Sequence, residues 1–324
     1  MTDRSPEIVT AIPSLAPRRS DGHKGDYGRA LLIGGSRGMS GAIALAGMSA
    51  LRGGAGLVRL AVPEPCLETV AAFEPSYMTT ALPSDSEGRI AAGAIDDLHS
   101  LVALATCVAC GPGLGRSVQL TALVRMLYRS VAQPLVVDAD ALNALAADGQ
   151  GLADHAGPRI LTPHPGEFRR LAGSVLSMGR ASGDVAAISA SAMKAALKDA
   201  AAIASAESSA AESSAAEMTD AAIEIARRDS LVIVLKGHRT LVTDGGRAYR
   251  NTTGNPGMAT GGSGDVLTGL ITALVCQSLA PWDAARLGVY LHGLAGDLAS
   301  RRFGQVSLIA SDLVRFLPRA FRSL

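Results

Sequence analysis

The sequence predicts an α/β fold: a central, mostly parallel sheet flanked by helices, with an antiparallel hairpin at one edge. Three observations carry that expectation. Short apolar, β-branched runs alternate with helical segments from Arg29 to Leu235, the pattern of parallel strands joined by right-handed crossovers. An Asp244-Gly245-Gly246 turn inside Thr240–Arg250 marks a hairpin. Polar or glycine-rich clusters repeatedly follow a strand and precede a helix, and open α/β sheets bind ligands at the carboxyl ends of their strands.

Taken in order, residues 1–22 read as a mobile arm, since the first twenty carry Pro13, Pro17 and Arg18-Arg19 and little to anchor them. Residues 23–324 read as one domain, because no linker divides them. The expected strands are Arg29–Gly34, Leu57–Val62, Tyr77–Leu82, Thr106–Cys110, Leu135–Asp138, Arg159–Thr162 and Leu231–Leu235, each a short apolar run that stops at Gly, Pro or an acid. The Thr240–Arg250 hairpin adds antiparallel edges, and three helical segments close the chain. One stretch stands apart: 181–217 is almost wholly Ala and Ser with scattered acids. Ala favours helix, yet the tract offers few bulky side chains to a core. It reads as a surface helical extension whose Glu207–Glu217 part frays.

With 324 residues, 48% of them hydrophobic, the chain can bury one large core. Its formal charge of +1 gives no electrostatic reason to seek nucleic acid or a membrane surface. No run approaches the roughly 18 apolar residues of a spanning helix, and no signal sequence opens the chain, so the cytoplasm is the expected compartment. Cys107 and Cys110 form a CxxC on an apolar strand, with no second Cys or His pair at ligand spacing. They read as small buried residues rather than a metal or redox pair.

The chemistry concentrates in Asn251–Val266, where glycines and one carboxylate immediately precede an apolar helix expected over Val266–Leu279. The free N–H groups and positive dipole end of such a helix attract an anion, and glycines let phosphate oxygens approach the backbone. Gly262, Ser263 and Gly264 are therefore the expected anion hole. Beside a phosphate, Asp265 has the chemistry of a base that deprotonates a hydroxyl about to be phosphorylated; the alternative is a helix cap. Other polar clusters sit at the strand ends. Lys236 and Thr240 flank the turn between two strands, where Lys236 either meets phosphate or is an exposed turn residue. Thr162-Pro163-His164-Pro165-Gly166-Glu167 turns a strand into a helix. Asp138, Asp140 and Asn143 end another strand, where Asp140 or Asn143 can equally cap a helix. Two glycine-rich stretches lack the spacing of better-known loops. Gly34–Gly41 has no Lys-Ser or Lys-Thr after it, and Gly111-Pro112-Gly113-Leu114-Gly115 is not GxGxxG.

The set HKGDYGR, GGS…MSGA, GPGLG, VVDADALN, TPHPGE, KGHRT and NPGMATGGSGDVL, in this order over His23 to Pro318, resembles the NAD(P)H-hydrate dehydratase family of ribokinase-like fold. The resemblance implies dehydration of the S-epimer of NADHX and NADPHX, the hydrated and inactive forms of NADH and NADPH. ADP is the implied co-substrate, with ATP as the alternative. It further implies substrate contacts at Ala42, Gly113, His164 and Asp265, and nucleotide contacts at Lys236, Gly237, His238, Arg239, Thr240 and Gly264. Glu167 matches the acid of the fold's NxxE pattern, with His164 at the Asn position, and is the implied Mg2+ residue, acting through water. A homo-oligomer, tetrameric in the family pattern, and a separate NAD(P)H-hydrate epimerase are the implied partners. The 181–217 tract departs from the family's shorter connection. Two other functions remain open on these residues: a small-molecule alcohol kinase of the same fold, and a nucleotide sensor without turnover.

Overall fold

The structure, a computed structural model, describes residues 5–182 and 208–324. Residues 183–207, most of the Ala/Ser tract, lie outside the described residues. Ten strands form one sheet: β1 (Glu7–Ile8), β2 (Arg29–Ile33), β3 (Leu57–Pro63), β4 (Met78–Leu82), β5 (Cys107–Cys110), β6 (Leu135–Val137), β7 (Arg159–Leu161), β8 (Val232–Leu235), β9 (Leu241–Thr243) and β10 (Arg247–Arg250). The spatial order is β1-β10-β9-β8-β7-β6-β5-β2-β3-β4. Every pairing from β8 through β7, β6, β5, β2 and β3 to β4 is parallel, whereas β8–β9 and β9–β10 are antiparallel.

Alternation along the central strands divides the core into two layers, because successive side chains leave opposite faces of a pleated strand. In β2, Ala30 and Leu32 point into one cluster while Leu31 and Ile33 point into the other. The first layer packs under α1 (Ser40–Arg52), α8 (Ser263–Cys276), α9 (Pro281–Phe303) and α10 (Ala310–Phe321). The second packs under α3 (Ile95–Ala103), α4 (Val118–Ser130), α5 (Ala139–Asp148), α6 (Pro165–Ser182) and α7 (Ser208–Asp229), and short α2 (Leu67–Ala71) follows β3. Strands covered on both faces read as continuous apolar runs, which is why Leu-Val-Val at β6 and Val-Ile-Val-Leu at β8 were recognisable. Helix α8 is buried along its length from Val266 to Cys276, wedged between α1 and α9. All four cysteines are buried and free. Among the described residues no helix is long and apolar enough to cross a membrane.

The structure corrects the sequence expectation in two places. The expected mobile arm is tied to the body from Glu7 onward. Glu7 and Ile8 pair parallel with Arg247 and Ala248, the Val9 N–H donates to the Ala248 carbonyl at 2.9 Å, and Val9, Ile12 and Leu15 pack on the core. Three apolar side chains spaced three apart supply the anchor that prolines and arginines obscured. Helix α8 stops at Cys276 rather than Leu279, because Ser278 takes a left-handed φ of 69°; the Gln277 side-chain amide there donates to the Gly53 carbonyl at 2.6 Å. Ser208–Glu217, the described part of the tract expected to be helical, forms the opening of α7.

Candidate functional site

Four chain segments far apart in sequence bring charged groups together at the carboxyl end of the sheet. Asp138 follows β6 at the N-cap of α5, Glu167 lies in the first turn of α6, Lys236 ends β8, and Asp265 lies in the first turn of α8. Lys236 is the hub. Its ammonium stands 2.7 Å from Asp138 Oδ1 and 3.9 Å from Glu167 Oε2, and its backbone N–H donates to the Pro163 carbonyl at 2.8 Å. Asp138, only 1% exposed, also accepts from Thr268 Oγ1 at 2.6 Å, so its charge is neutralised and hydrogen-bonded, as a buried carboxylate requires. Burial alone would raise the Asp138 pKa; Lys236 and the threonine hydroxyls overcome it, leaving the carboxyl below its ordinary value. Burial would lower Lys236, and Asp138 with Glu167 reverses that, so the ammonium stays charged.

The turn before α8 presents backbone N–H groups at a helix start. Gly262 occupies the N-cap with a left-handed φ of 88°, a conformation that favours glycine, and no side chain caps the helix. The Ser263 N–H donates to the Thr260 carbonyl at 3.4 Å, which leaves those of Gly264 and Asp265 at the helix start for a ligand. A Cβ at Gly264 would stand 3.2 Å from Lys236 Nζ, so the glycine lets the ammonium lie against the helix start. Asp265 carries no matching partner: burial first, then Asp138, pushes its pKa up to about 7, with Lys236 opposing. The turn hangs from α9. The buried His292 ring places Nε2 2.9 Å from the Ser263 carbonyl; burial pushes its pKa down to about 4, so the ring is neutral and Nε2–H donates. Asp297 accepts from the Gly254 N–H at 2.9 Å and the Asn255 amide at 3.0 Å, while Asn251 and Thr253 donate to the α9 carbonyls of Val289 and Tyr290.

On the other flank, the Gly166 N–H donates to His164 Nδ1 at 3.0 Å, which assigns the imidazole proton to Nε2, facing Glu167 Oε1 at 3.5 Å. Burial, then the charges of Lys236 and Arg170, lower the His164 pKa, so the ring is neutral at pH 7. Glu167 accepts from the His164 N–H at 2.8 Å and is raised above its ordinary value by burial, with Lys236 opposing. Ala42 and Gly113 adjoin. A Cβ at Gly113, whose φ is 63°, would collide with the Met39 carbonyl and approach the Ala42 Cβ at 3.1 Å. The glycine is therefore demanded by packing between two loops of the chain itself. In the β8–β9 turn, Thr240 Oγ1 donates to the Gly237 carbonyl at 3.1 Å, Arg239 is left-handed at φ 56°, and His238 and Arg239 are exposed.

Lys236, Asp138, Glu167, Gly264 and Asp265 therefore converge as one cluster, and Lys236 is turned inward rather than exposed. Asp140 and Asn143 do not join it. Asp140 accepts from the Gly115 N–H at 3.0 Å and pairs with Arg116 at 3.2 Å; Asn143 donates to the Ala139 carbonyl and accepts from Arg170 at 2.9 Å, so neither caps the start of α5. Sequence reading missed Thr268, His292 and Asp297. Thr268 lies three residues beyond Asp265 on α8, nearly one turn and so on the same side, and that spacing is the one signal that could have found it.

A family model for NAD(P)H-hydrate dehydratase matches residues 30–319. The bifunctional NAD(P)H-hydrate repair enzyme Nnr of Moorella thermoacetica is 44% identical over 313 residues, 96% of this chain and 52% of that protein. The Nnr of Escherichia coli K12 is 35% identical over 306 residues, 94% of this chain and 50% of that protein. The chain spans about half the length of the curated relatives it matches. Among solved structures, the ADP/ATP-dependent NAD(P)H-hydrate dehydratase of Bacillus subtilis, co-crystallized with ATP and Mg2+, superposes with a TM-score of 0.69 at 29% identity, covering 95% of this chain and 94% of that one. A ribokinase-like superfamily protein from Enterococcus faecalis gives 0.71 at 25% identity, covering 95% and 92%. The family model covers most of the chain and the relatives exceed 30% identity over nearly all of it: the chain belongs to the NAD(P)H-hydrate dehydratase family.

Proposed function

We propose that the protein dehydrates the S-epimers of NADHX and NADPHX to NADH and NADPH, consuming ADP and releasing AMP and phosphate. The observation that carries this reading is Asp265: a half-buried carboxyl with a pKa near 7, in the first turn of a helix whose anion-binding N–H groups lie beside a charged lysine. Hydroxide is a poor leaving group and phosphate a good one. Asp265 takes the proton from the C6 hydroxyl as its oxygen attacks the terminal phosphorus of the nucleotide, and the bond from that phosphorus to the bridging oxygen breaks to leave AMP. The N–H groups at Gly262–Gly264 and the Lys236 ammonium hold the equatorial phosphoryl oxygens. The ring nitrogen's lone pair then expels phosphate from C6, and loss of the C5 proton restores the dihydropyridine. Ala42, Gly113 and His164 bound the substrate side, and Lys236 to Thr240 with Gly264 the nucleotide side.

Mg2+ fits this site in one manner. Among the described residues no three carboxylate, imidazole or thiolate groups gather as a cage. Asp138 is engaged by Lys236, which leaves Glu167 as the hard oxygen donor, and Mg2+ is commonly held by one or two carboxylates, water and phosphate oxygens. Glu167 would hold the ion's waters; when bound, the ion offsets charge on the nucleotide phosphates. The reading also includes a homo-oligomer, a cytoplasmic setting and, as functional partner, an epimerase activity that interconverts the two hydrate epimers. Incubating the protein with NADHX and ADP tests it: dihydronicotinamide absorbance should rise in step with phosphate release. A stable phosphorylated product would favour an alcohol kinase, and binding without turnover a sensor.

The geometry sets one expected result, and the resemblance to the dehydratase family a second. A base must be ionised to accept a proton, so kcat/KM should rise about tenfold per pH unit below the Asp265 pKa and level off above pH 7; an acid limb near pH 4 would remove Asp265 as the base. ADP should give a kcat/KM at least about tenfold above ATP, a difference of roughly 1.4 kcal/mol in transition-state binding, and equal use would refute that preference.

A further inference from the structure

A cleft of about 490 Å³ lies along the outer side of α5, between α4 and α6, and belongs to none of the steps above. At the end nearest the Lys236 cluster it is lined by Gly115, Arg116, Asp140, Asn143 and Arg170, and farther along α5 by Ala147. It adjoins the site along the chain: Gly115 lies two residues beyond Gly113, Asp140 two beyond Asp138, and Arg170 three beyond Glu167. Two guanidinium forks thus flank its mouth, each now occupied by a short polar side chain: Arg116 by Asp140 at 3.2 Å and Arg170 by Asn143 at 2.9 Å. Planar forks of this kind match the paired oxygens of a diphosphate. Beyond them the small side chains of α5 leave a wall on which a flat base can lie, and the volume falls within the roughly 300–1,000 Å³ of small-molecule sites.

A dinucleotide bound with its nicotinamide ring at Asp265 must place its second half elsewhere. We propose that this cleft binds the AMP half of the dinucleotide, with Arg116 and Arg170 on the bridging diphosphate and the base along α5. The assignment rests on the dehydratase reading. The co-substrate ADP carries the same AMP group, but its expected contacts lie on the opposite flank, at the β8–β9 turn and Gly264.

NADH and ADP, neither of which turns over alone, serve as binding probes, with reduced nicotinamide mononucleotide as the probe that lacks the AMP half. Ala147 is exposed on α5, so Ala147→Phe narrows the cleft without entering the core. It should weaken NADH binding roughly tenfold or more and leave ADP and the mononucleotide unchanged, because a packed cleft cannot be overfilled without loss. The double variant Arg116→Ala/Arg170→Ala should weaken NADH by a similar factor through lost charged hydrogen bonds, about ten- to a hundredfold in total. Unchanged NADH affinity in both variants would overturn the assignment, as would loss of ADP affinity, which would give the cleft to the co-substrate. Wild-type turnover of NADHX, measured alongside, reports separately on the dehydratase reading.

Discussion

Asp265→Asn is expected to lower kcat by about 10²–10⁴-fold while leaving the affinities for ADP and for NADH within a few fold. The amide keeps the carboxylate's shape but cannot accept the hydroxyl proton. The same substitution should make the protein more stable at pH 8. Asp265 ordinarily titrates near 3.8 and does so near 7 in the fold, so the folded state holds the proton more tightly than the unfolded chain. Stability from that proton is complete below about pH 4 and is lost as pH rises through 7. Above pH 7 the native protein therefore carries a half-buried carboxylate that Asn removes, and the Tm should rise by at least about 2 °C. Near-normal turnover, or a lower Tm at pH 8, would show that Asp265 is held for structural reasons.

Lys236→Met should have the second large effect, and it should be double. It leaves Asp138, 1% exposed, without its cation, and removing one partner of a buried pair costs about 3 kcal/mol. It also removes the ammonium beside Gly264, so ADP and ATP affinities should fall together while that for NADH alone holds. The pairing variant separates the two consequences. In Asp138→Asn/Lys236→Met the amide can still accept from Thr268 Oγ1, and the uncompensated charge is gone. Denaturant unfolding should show most of the stability restored, whereas calorimetry should find nucleotide affinity still lost. Recovery of both would mean that Lys236 serves the fold alone.

The central strands were legible because each is a short run buried on both faces and bounded by Gly, Pro or an acid. β1 was not, since a two-residue strand has no periodicity and its evidence lies in the outer edge of β10. The glycine-capped helix start was legible from Gly262 to Asp265, where the signal is local. The charges that tune it were not: Asp138 lies 98 residues from Lys236 and 130 from Thr268. Their meeting follows from sheet order, which places the ends of β6, β7 and β8 side by side. Asp140 and Asn143 illustrate the opposite limit. They share the Asp138 motif, yet they turn to Arg116 and Arg170 across the outer cleft.

The suspension of the 251–264 segment from α9 bears on where binding energy is spent. His292, Asp297 and the carbonyls of Val289 and Tyr290 fix that backbone, and a Cβ at Gly293 would collide with Thr253, so helix and loop touch without an intervening side chain. The N–H groups are aimed before any nucleotide arrives. No disordered loop must then be frozen on association, and little dipole reorientation accompanies the shift of charge during transfer. Helix α9 touches no reacting atom in this scheme, yet it holds the dipoles in place, and a change in its packing would register both as weaker nucleotide binding and as a slower reaction.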